Sequence, residues 1–322
     1  TTYQLPICSS RPCNSIKTTL LGVSLNVTAK PTKPLTLFKC NRIAGELSMS
    51  GAADKWVEFP HLCEGGRGLM EEVAFMVETQ LASQLNPCCT SPDVRSFKNA
   101  DANCEGSVNI KSGKQGSKID FILGSWIHCK LPFGVLNIAT IVGMASTQTD
   151  APHLLFEFIQ NGQNSLVLVL DLLPRKDLVL EPDYLKWFYG DTKLDAPRET
   201  LDKVQQAQPY VSSSLYVRSI VSPTAILFKI NSELQSTEGT VDSMEKLVKD
   251  IVRPAAKEVV RIWLEAILTR GRAVDDAQKD LLLKRDNMIK TTGIEVDLSS
   301  NIPRLFGQDI ADRIVAAFQK GI

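Results

Sequence analysis

Acidic residues are missing from the first 45 positions, where six Lys or Arg stand among many Thr, Ser and Pro. That imbalance is the composition of an organelle leader. Residues 1–45 are therefore expected to be a transit peptide, and residues 46–322 a single folded domain. With the leader set aside, the body carries 36 acidic against 30 basic residues, six net negative charges, so it is no obvious nucleic-acid binder. Histidine is scarce. The three present, His61, His128 and His153, stand in no zinc-like spacing, and none of the eight cysteines forms a CxxC pair. Metal and iron–sulfur ligation are accordingly not expected, and the thiols read as reduced. No run of about 18 apolar residues suggests a membrane span. The nearest stretch, VLNIATIVGMA at 135–145, is short and carries Asn137 and Thr140. No GxGxxG follows a strand, no GxSxG is present, and SGKQGSK at 112–118 fails the spacing of a phosphate loop. A Rossmann cofactor site and a hydrolase triad are thus disfavoured. If the chain is an enzyme, its reactivity must come from the substrate, an outside electron source and a few ionisable groups.

What is present is a change of period. In GLMEEVAFMVETQLASQL, 68–85, apolar residues recur at helical spacing on one face. From about 106 the period becomes two, and strands are predicted at 106–111, 118–129, 135–147, 154–160 and 165–171. The links between them are short, and the Asn-Gly in NGQN, 161–164, is a hairpin signal. Such links imply an antiparallel meander. Both faces of these strands are largely apolar, so both need covering. Helical patterns at 182–191, 241–252, 255–270, 276–289 and 310–320 can supply the cover, with Pro254 forcing a kink or a new start. The expected fold is α/β: an α/β/α sandwich with one central antiparallel sheet between two helical layers. One layer is assigned to 68–85 and 182–191, the other to the C-terminal half.

One residue interrupts this pattern. Glu157 sits among Leu155, Phe156, Phe158 and Ile159 in the strand at 154–160. A buried carboxylate is costly, so it shifts its pKa, finds a partner or lines a cavity. A salt bridge to a neighbouring strand is the ordinary alternative.

Several long segments in order carry a resemblance: GSWIHCKLP (124–132), LVLVLDLLPRKDLVLEPDYLK (166–186), YVSSSLYVRSIVSPTA (210–225), RPAAKEV (253–259) and IPRLFG (302–307). Together they resemble the red chlorophyll catabolite reductases of plants, from about residue 55 to 320. The resemblance implies kinship with ferredoxin-dependent bilin reductases. It further implies reduction of one double bond of red chlorophyll catabolite, a linear tetrapyrrole, to the primary fluorescent chlorophyll catabolite. Electrons would arrive singly from reduced ferredoxin, with no flavin, nicotinamide or metal bound. It also implies a plastid leader, a chloroplast-stroma location with mitochondria left open, a homodimer, and handover from the upstream pheophorbide a oxygenase. Glu157 and Asp297 match the family's acidic pair beside the substrate. Tyr210, Val211 and Ser212 match its pigment-lining segment. Val221 matches a position held by Phe or Val that goes with which C1 epimer forms, here the epi-type. Ser213 and Ile302 depart from the family's usual Pro and Phe. The competing reading is a tetrapyrrole carrier of the same fold that performs no reduction. Arg175 and Lys176 are a candidate basic rim for ferredoxin, although solvated charge with Asp177 as a cap is the simpler expectation.

Overall fold

Alternating apolar residues from position 104 onward produce one sheet of eight antiparallel strands. A computed structural model describes residues 55–88, 90–132, 134–234, 242–293 and 301–321, so the expected leader lies outside it. Helix α1 (Glu64–Leu81) and a short α2 (Pro92–Arg95) lead into β1 (Phe97–Lys98). Five long strands follow as a meander: β2 (Cys104–Ser112), β3 (Ile119–Leu131), β4 (Gly134–Ala145), β5 (His153–Asn161) and β6 (Ser165–Leu173). Each covers its predicted segment with shifts of one to a few residues. The turn joining β5 to β6 uses Gly162 at φ 69°, the left-handed conformation that the Asn-Gly signal requires.

The chain then adds α3 (Pro182–Leu185, extended by a π turn at Lys186–Gly190), α4 (Asp195–Asp202), β7 (Ala207–Pro209), α5 (Leu215–Ile220) and β8 (Ile226–Asn231). β8 pairs with β6 and β7 with β8, giving the order β1-β2-β3-β4-β5-β6-β8-β7. Neither β7 nor β8 is among the strands expected from the sequence. Helices α6 (Met244–Leu247), α7 (Arg253–Glu265), α8 (Asp276–Gly293), α9 (Ile302–Phe306) and α10 (Gln308–Gly321) complete the chain. Pro254 stands in the first turn of α7. Residues 248–252 form a π turn between α6 and α7, and the backbone stays helical through the junction. A wider turn accommodates the missing N–H and the ring of proline.

Two apolar cores lie on opposite faces of the sheet. One joins Val73 and Val77 of α1, Tyr184 and Phe188 of the α3 segment, and Val259, Val260 and Trp263 of α7 to Phe156 and Phe158 of β5. The other joins Ile220, Ile289 of α8, Ile302 and Phe306 of α9 and Ile310 and Ile314 of α10 to Leu123, Ile138, Ile159 and Val169. This confirms the α/β/α sandwich and corrects one assignment: the 244–270 helix packs on the same face as α1. Its fully buried Trp263 seats over Gly143, where any Cβ would collide with the indole. Among the described residues no helix is long and apolar enough to cross a membrane.

A buried ionic lock fastens α8 to the sheet. Arg175, immediately beyond the Leu173-Pro174 end of β6, is 2% exposed. Its Nη2 donates to Asp286 Oδ2 at 2.5 Å and its Nε to Oδ1 at 3.1 Å. His153 Nε2 lies 2.9 Å from the same Oδ1. Burial would raise the Asp286 carboxyl, but His153 and Arg175 outweigh it and hold the group well below the usual range. Arg175 is therefore no exposed ferredoxin rim. Asp177 caps a turn instead of a helix, accepting the Val179 and Leu180 N–H groups at 2.8 and 3.0 Å. Asp286→Ala would strand the Arg175 guanidinium without its partner. Urea unfolding at pH 7 should then show a loss of about 3–5 kcal/mol, the usual cost of breaking a buried pair from one side.

Candidate active site

Strand register explains what surrounds Glu157. Ser125 of β3 faces Thr140 of β4, Thr140 faces Glu157 of β5, and Glu157 faces Val169 of β6. Val169 in turn faces Leu227 of β8. Three polar side chains thus form a stripe across the α8–α10 face of the sheet, and all three are at 0% exposure. Leu155, Ile159, Ile138 and Val167 lie beside them on that face.

The stripe is under-satisfied. Thr140 Oγ1 donates to Glu157 Oε1 over a long 3.5 Å. Glu157 Oε2 and Ser125 Oγ have no hydrogen-bond partner among the described residues. Burial pushes the Glu157 carboxyl up to about 7, and only the weak Thr140 bond opposes it. Orphaned buried polar atoms are unusual, and a polar ligand would supply what the protein withholds. A carboxyl poised near neutrality in such a place can hold a proton and deliver it.

Other expected site residues converge on the same face. The Tyr210 N–H donates to Leu227 O at 2.8 Å, which puts Tyr210 at the far end of the Glu157 row. Its ring packs on the same apolar cluster. Burial, and secondarily the Glu157 charge, pushes the phenol up to about 12. Val221 also packs there, just past the end of α5. Ser212 is buried and its Oγ accepts the Ser214 N–H at 3.2 Å. Val211, by contrast, is 67% exposed. Asp297 lies outside the described residues. Sequence reading missed Ser125 and Thr140. The signal was available: each is a polar residue on the same face of an adjoining apolar strand, and the short β3–β4 and β4–β5 links constrain the register that aligns them with Glu157.

The opposite face gathers residues whose sequence spacing gave no hint of proximity. His61, Glu105 and His128 place donor atoms within 4.8 Å of one another, a set that could hold a metal ion. They come from the segment before α1, from β2 and from β3, hence the absent motif. Each is already engaged. His61 meets Glu105 at 3.1 Å, Lys98 takes the other Glu105 oxygen at 2.7 Å, and His128 Nδ1 lies 2.7 Å from Asn137 Oδ1. A cation would have to displace these contacts. Beside them opens a cavity of about 620 Å³ lined by His61, Cys63, Asn137, Gln160 and Glu245. Asn137 and Gln160 point away from the Glu157 face, because they alternate with Thr140 and Glu157 along their strands.

The fold places the chain in the structural class of phytochromobilin synthase. A structure of that protein from tomato, in complex with biliverdin, superposes with a TM-score of 0.58 at 18% identity, covering 77% of this chain and 82% of the other. The sequence is more specific. The family model described as red chlorophyll catabolite reductase matches residues 65–320, and the chain belongs to that family. It is 44% identical over 270 residues to the chloroplastic red chlorophyll catabolite reductase of Arabidopsis thaliana, covering 83% of each chain. It is 41% identical over 256 residues to a chloroplastic red chlorophyll catabolite reductase of Oryza sativa subsp. japonica, covering 79% of this chain and 77% of the other.

The elevated Glu157 carboxyl makes a stability prediction with a definite sign. The folded value near 7 lies above the ordinary 4.5. The native state therefore keeps a proton that the unfolded chain releases, and stability falls as pH rises from about 4.5 through 7. Glu157→Gln mimics the neutral acid. Urea unfolding should find the variant more stable than wild type at pH 8.5 by on the order of 3 kcal/mol, with the difference vanishing towards pH 4.5. A difference that ignores pH would contradict the assignment.

Proposed function

We propose that this protein reduces red chlorophyll catabolite to the primary fluorescent chlorophyll catabolite with electrons from reduced ferredoxin. Family membership and the 41–44% identity to named reductases support the reaction and its linear tetrapyrrole substrate. The chloroplastic names of those relatives support a chloroplast address, for which the stroma is the compartment we propose. The single observation that carries the mechanism is the solvent-shielded Glu157, held near neutrality with one oxygen unpartnered among the described residues.

Reduction of one C=C bond adds two electrons and two protons. Ferredoxin delivers electrons one at a time, so the first creates a pigment radical anion. Unless that anion is protonated, the electron returns. The protonated Glu157 carboxyl gives up its proton to the radical and is recharged from solvent after turnover. A positioned acid of this kind contributes about 10²–10⁴-fold. The second electron and a second proton complete the bond. Asp297 is the acid the family resemblance assigns beside Glu157. Tyr210 supplies an aromatic face and a hydroxyl to the pyrrole or lactam groups, and Ser212 belongs to the same pigment-lining segment. Val221, at a position held by either Phe or Val in the family, sets the pigment so that the epi-type C1 product forms. The protein itself binds no redox cofactor, works as a homodimer and receives its substrate from the pheophorbide a oxygenase that precedes it.

An anaerobic assay with red chlorophyll catabolite, ferredoxin and a ferredoxin-reducing system should produce a blue-fluorescent product. Pigment binding without fluorescence would instead indicate a carrier. Glu157→Gln should lower kcat by about 10²–10⁴-fold. Wild-type kcat should decline above a pH of about 7, where the proton-bearing form is depleted. Val221→Phe should invert the C1 epimer seen by chiral chromatography, and an unchanged product would remove Val221 from the stereochemical account.

A further inference from the structure

A second buried carboxylate stands on the pigment face without a role in the chemistry above. Asp171 of β6 lies two residues beyond Val169, the residue facing Glu157, so both acids project from the same side of the sheet. Diagonal neighbours of this kind lie about 7–8 Å apart, their Cβ atoms somewhat closer. Asp171 is 2% exposed. No cation pairs with it among the described residues. Ser222 grips both of its oxygens: the Ser222 N–H donates to Oδ2 at 2.7 Å and the Ser222 hydroxyl to Oδ1 at 2.5 Å. Ser222 Oγ in turn accepts the Thr224 N–H at 3.1 Å and lies 2.9 Å from Thr224 Oγ1. Burial pushes the Asp171 carboxyl up to about 6, while the two Ser222 bonds and the Leu172 backbone N–H pull it down.

Ser222 directly follows Val221. Helix α5 ends at Ile220, and Val221 leaves it with extended backbone at φ −72° and ψ 151°. Its N–H still reaches back to Val217 O at 3.3 Å. The chain must then turn at Pro223 to enter β8, which pairs with β6 from Ile226. From the sheet, the Asp171 carboxylate clamps this corner. A buried acid with two charge-assisted bonds to one residue is an anchor for that residue's backbone. Sheet strands are the stiffest support available to a loop.

We propose that Asp171 is a positioning residue for the pigment pocket: gripping Ser222 through both carboxylate oxygens, it fixes Val221 relative to Glu157 and so fixes which face of the tetrapyrrole receives the proton. This rests on the reading that Val221 governs product stereochemistry. Asp171 transfers no proton here. It acts through Ser222 and Val221, and asparagine can replace it, since an amide oxygen can accept from the Ser222 N–H while the amide nitrogen donates to its hydroxyl.

The test is C1 epimer composition by chiral chromatography in the ferredoxin assay for Asp171→Ala, Asp171→Asn, Ser222→Ala and Val221→Phe. The minor epimer should rise by about tenfold in Asp171→Ala, as expected from losing charge-assisted bonds. Ser222→Ala should move it in the same direction, and Asp171→Asn should restore the wild-type ratio. A purely structural aspartate would lower the unfolding midpoint and leave the epimer ratio alone, which would overturn the proposal. If Asp171→Ala does not fold, Ser222→Ala decides by the same criterion. A shift in Val221→Phe alone would sink the anchor and leave the Val221 reading standing. No shift in any variant would sink both.

Discussion

Glu157 is kept from water by the sheet and the helical layer over its face, and among the described residues no counter-charge pairs with it. Its strand is fifth from the β1 edge of the sheet and fourth from the β7 edge, flanked on both sides by long partners. The cross-strand groups it meets are a hydroxyl, from Thr140, and a hydrocarbon, from Val169. In such surroundings the charged form is penalised more than the neutral one. Ionisation then becomes sensitive to what lies on the face, and a conjugated pigment that gains an electron is the kind of guest that would draw the proton out.

The two faces of the sheet divide the work. Aromatic bulk fills the α1–α7 side, where Phe156, Phe158, Tyr184, Phe188 and Trp263 interlock. That layer supplies rigid backing. The α8–α10 side holds the polar stripe and the charged fasteners. Asp286 ties α8 to Arg175 and His153, Lys290 pairs with Asp120, and the Tyr216 hydroxyl reaches Met288 O. These contacts lie around the Glu157 row without entering it. Fixed charge thereby holds the cover in place, and among the described residues none of it pairs with the acid.

How much of this was legible in the sequence depends on range. The β2–β6 meander could be read because period-two alternation and short links are local signals, and Asn161-Gly162 marked its hairpin. Strands β7 and β8 escaped because Ala207–Pro209 is short and Ile226–Asn231 pairs with β6 across more than fifty intervening residues. The 244–270 helix was assigned to the wrong layer, since an amphipathic pattern says which face is buried but not against what. Pro254 suggested a kink or a new start, and it stands in the first turn of α7 directly after a π turn. Arg175 looked like surface charge beside Lys176, and only the fold reveals Asp286 opposite it. At the site, Glu157 announced itself as a charge inside an apolar strand. Tyr210 and Val221 came from family resemblance, and the structure gathers them onto the Glu157 face. Asp171 was hidden because a single aspartate near a strand end reads as an ordinary edge residue until Ser222 is seen bonded to it.

The central claim is that a neutral, proton-bearing carboxyl waits at position 157 under working conditions. A ¹³C NMR titration of the labelled glutamate carboxyls, with the Glu157 resonance assigned by its loss in Glu157→Gln, measures that directly. A midpoint near 7 is the result the structure requires. A midpoint near the ordinary 4.5 would mean the group is a solvated carboxylate at neutral pH, and the proton would have to come from elsewhere.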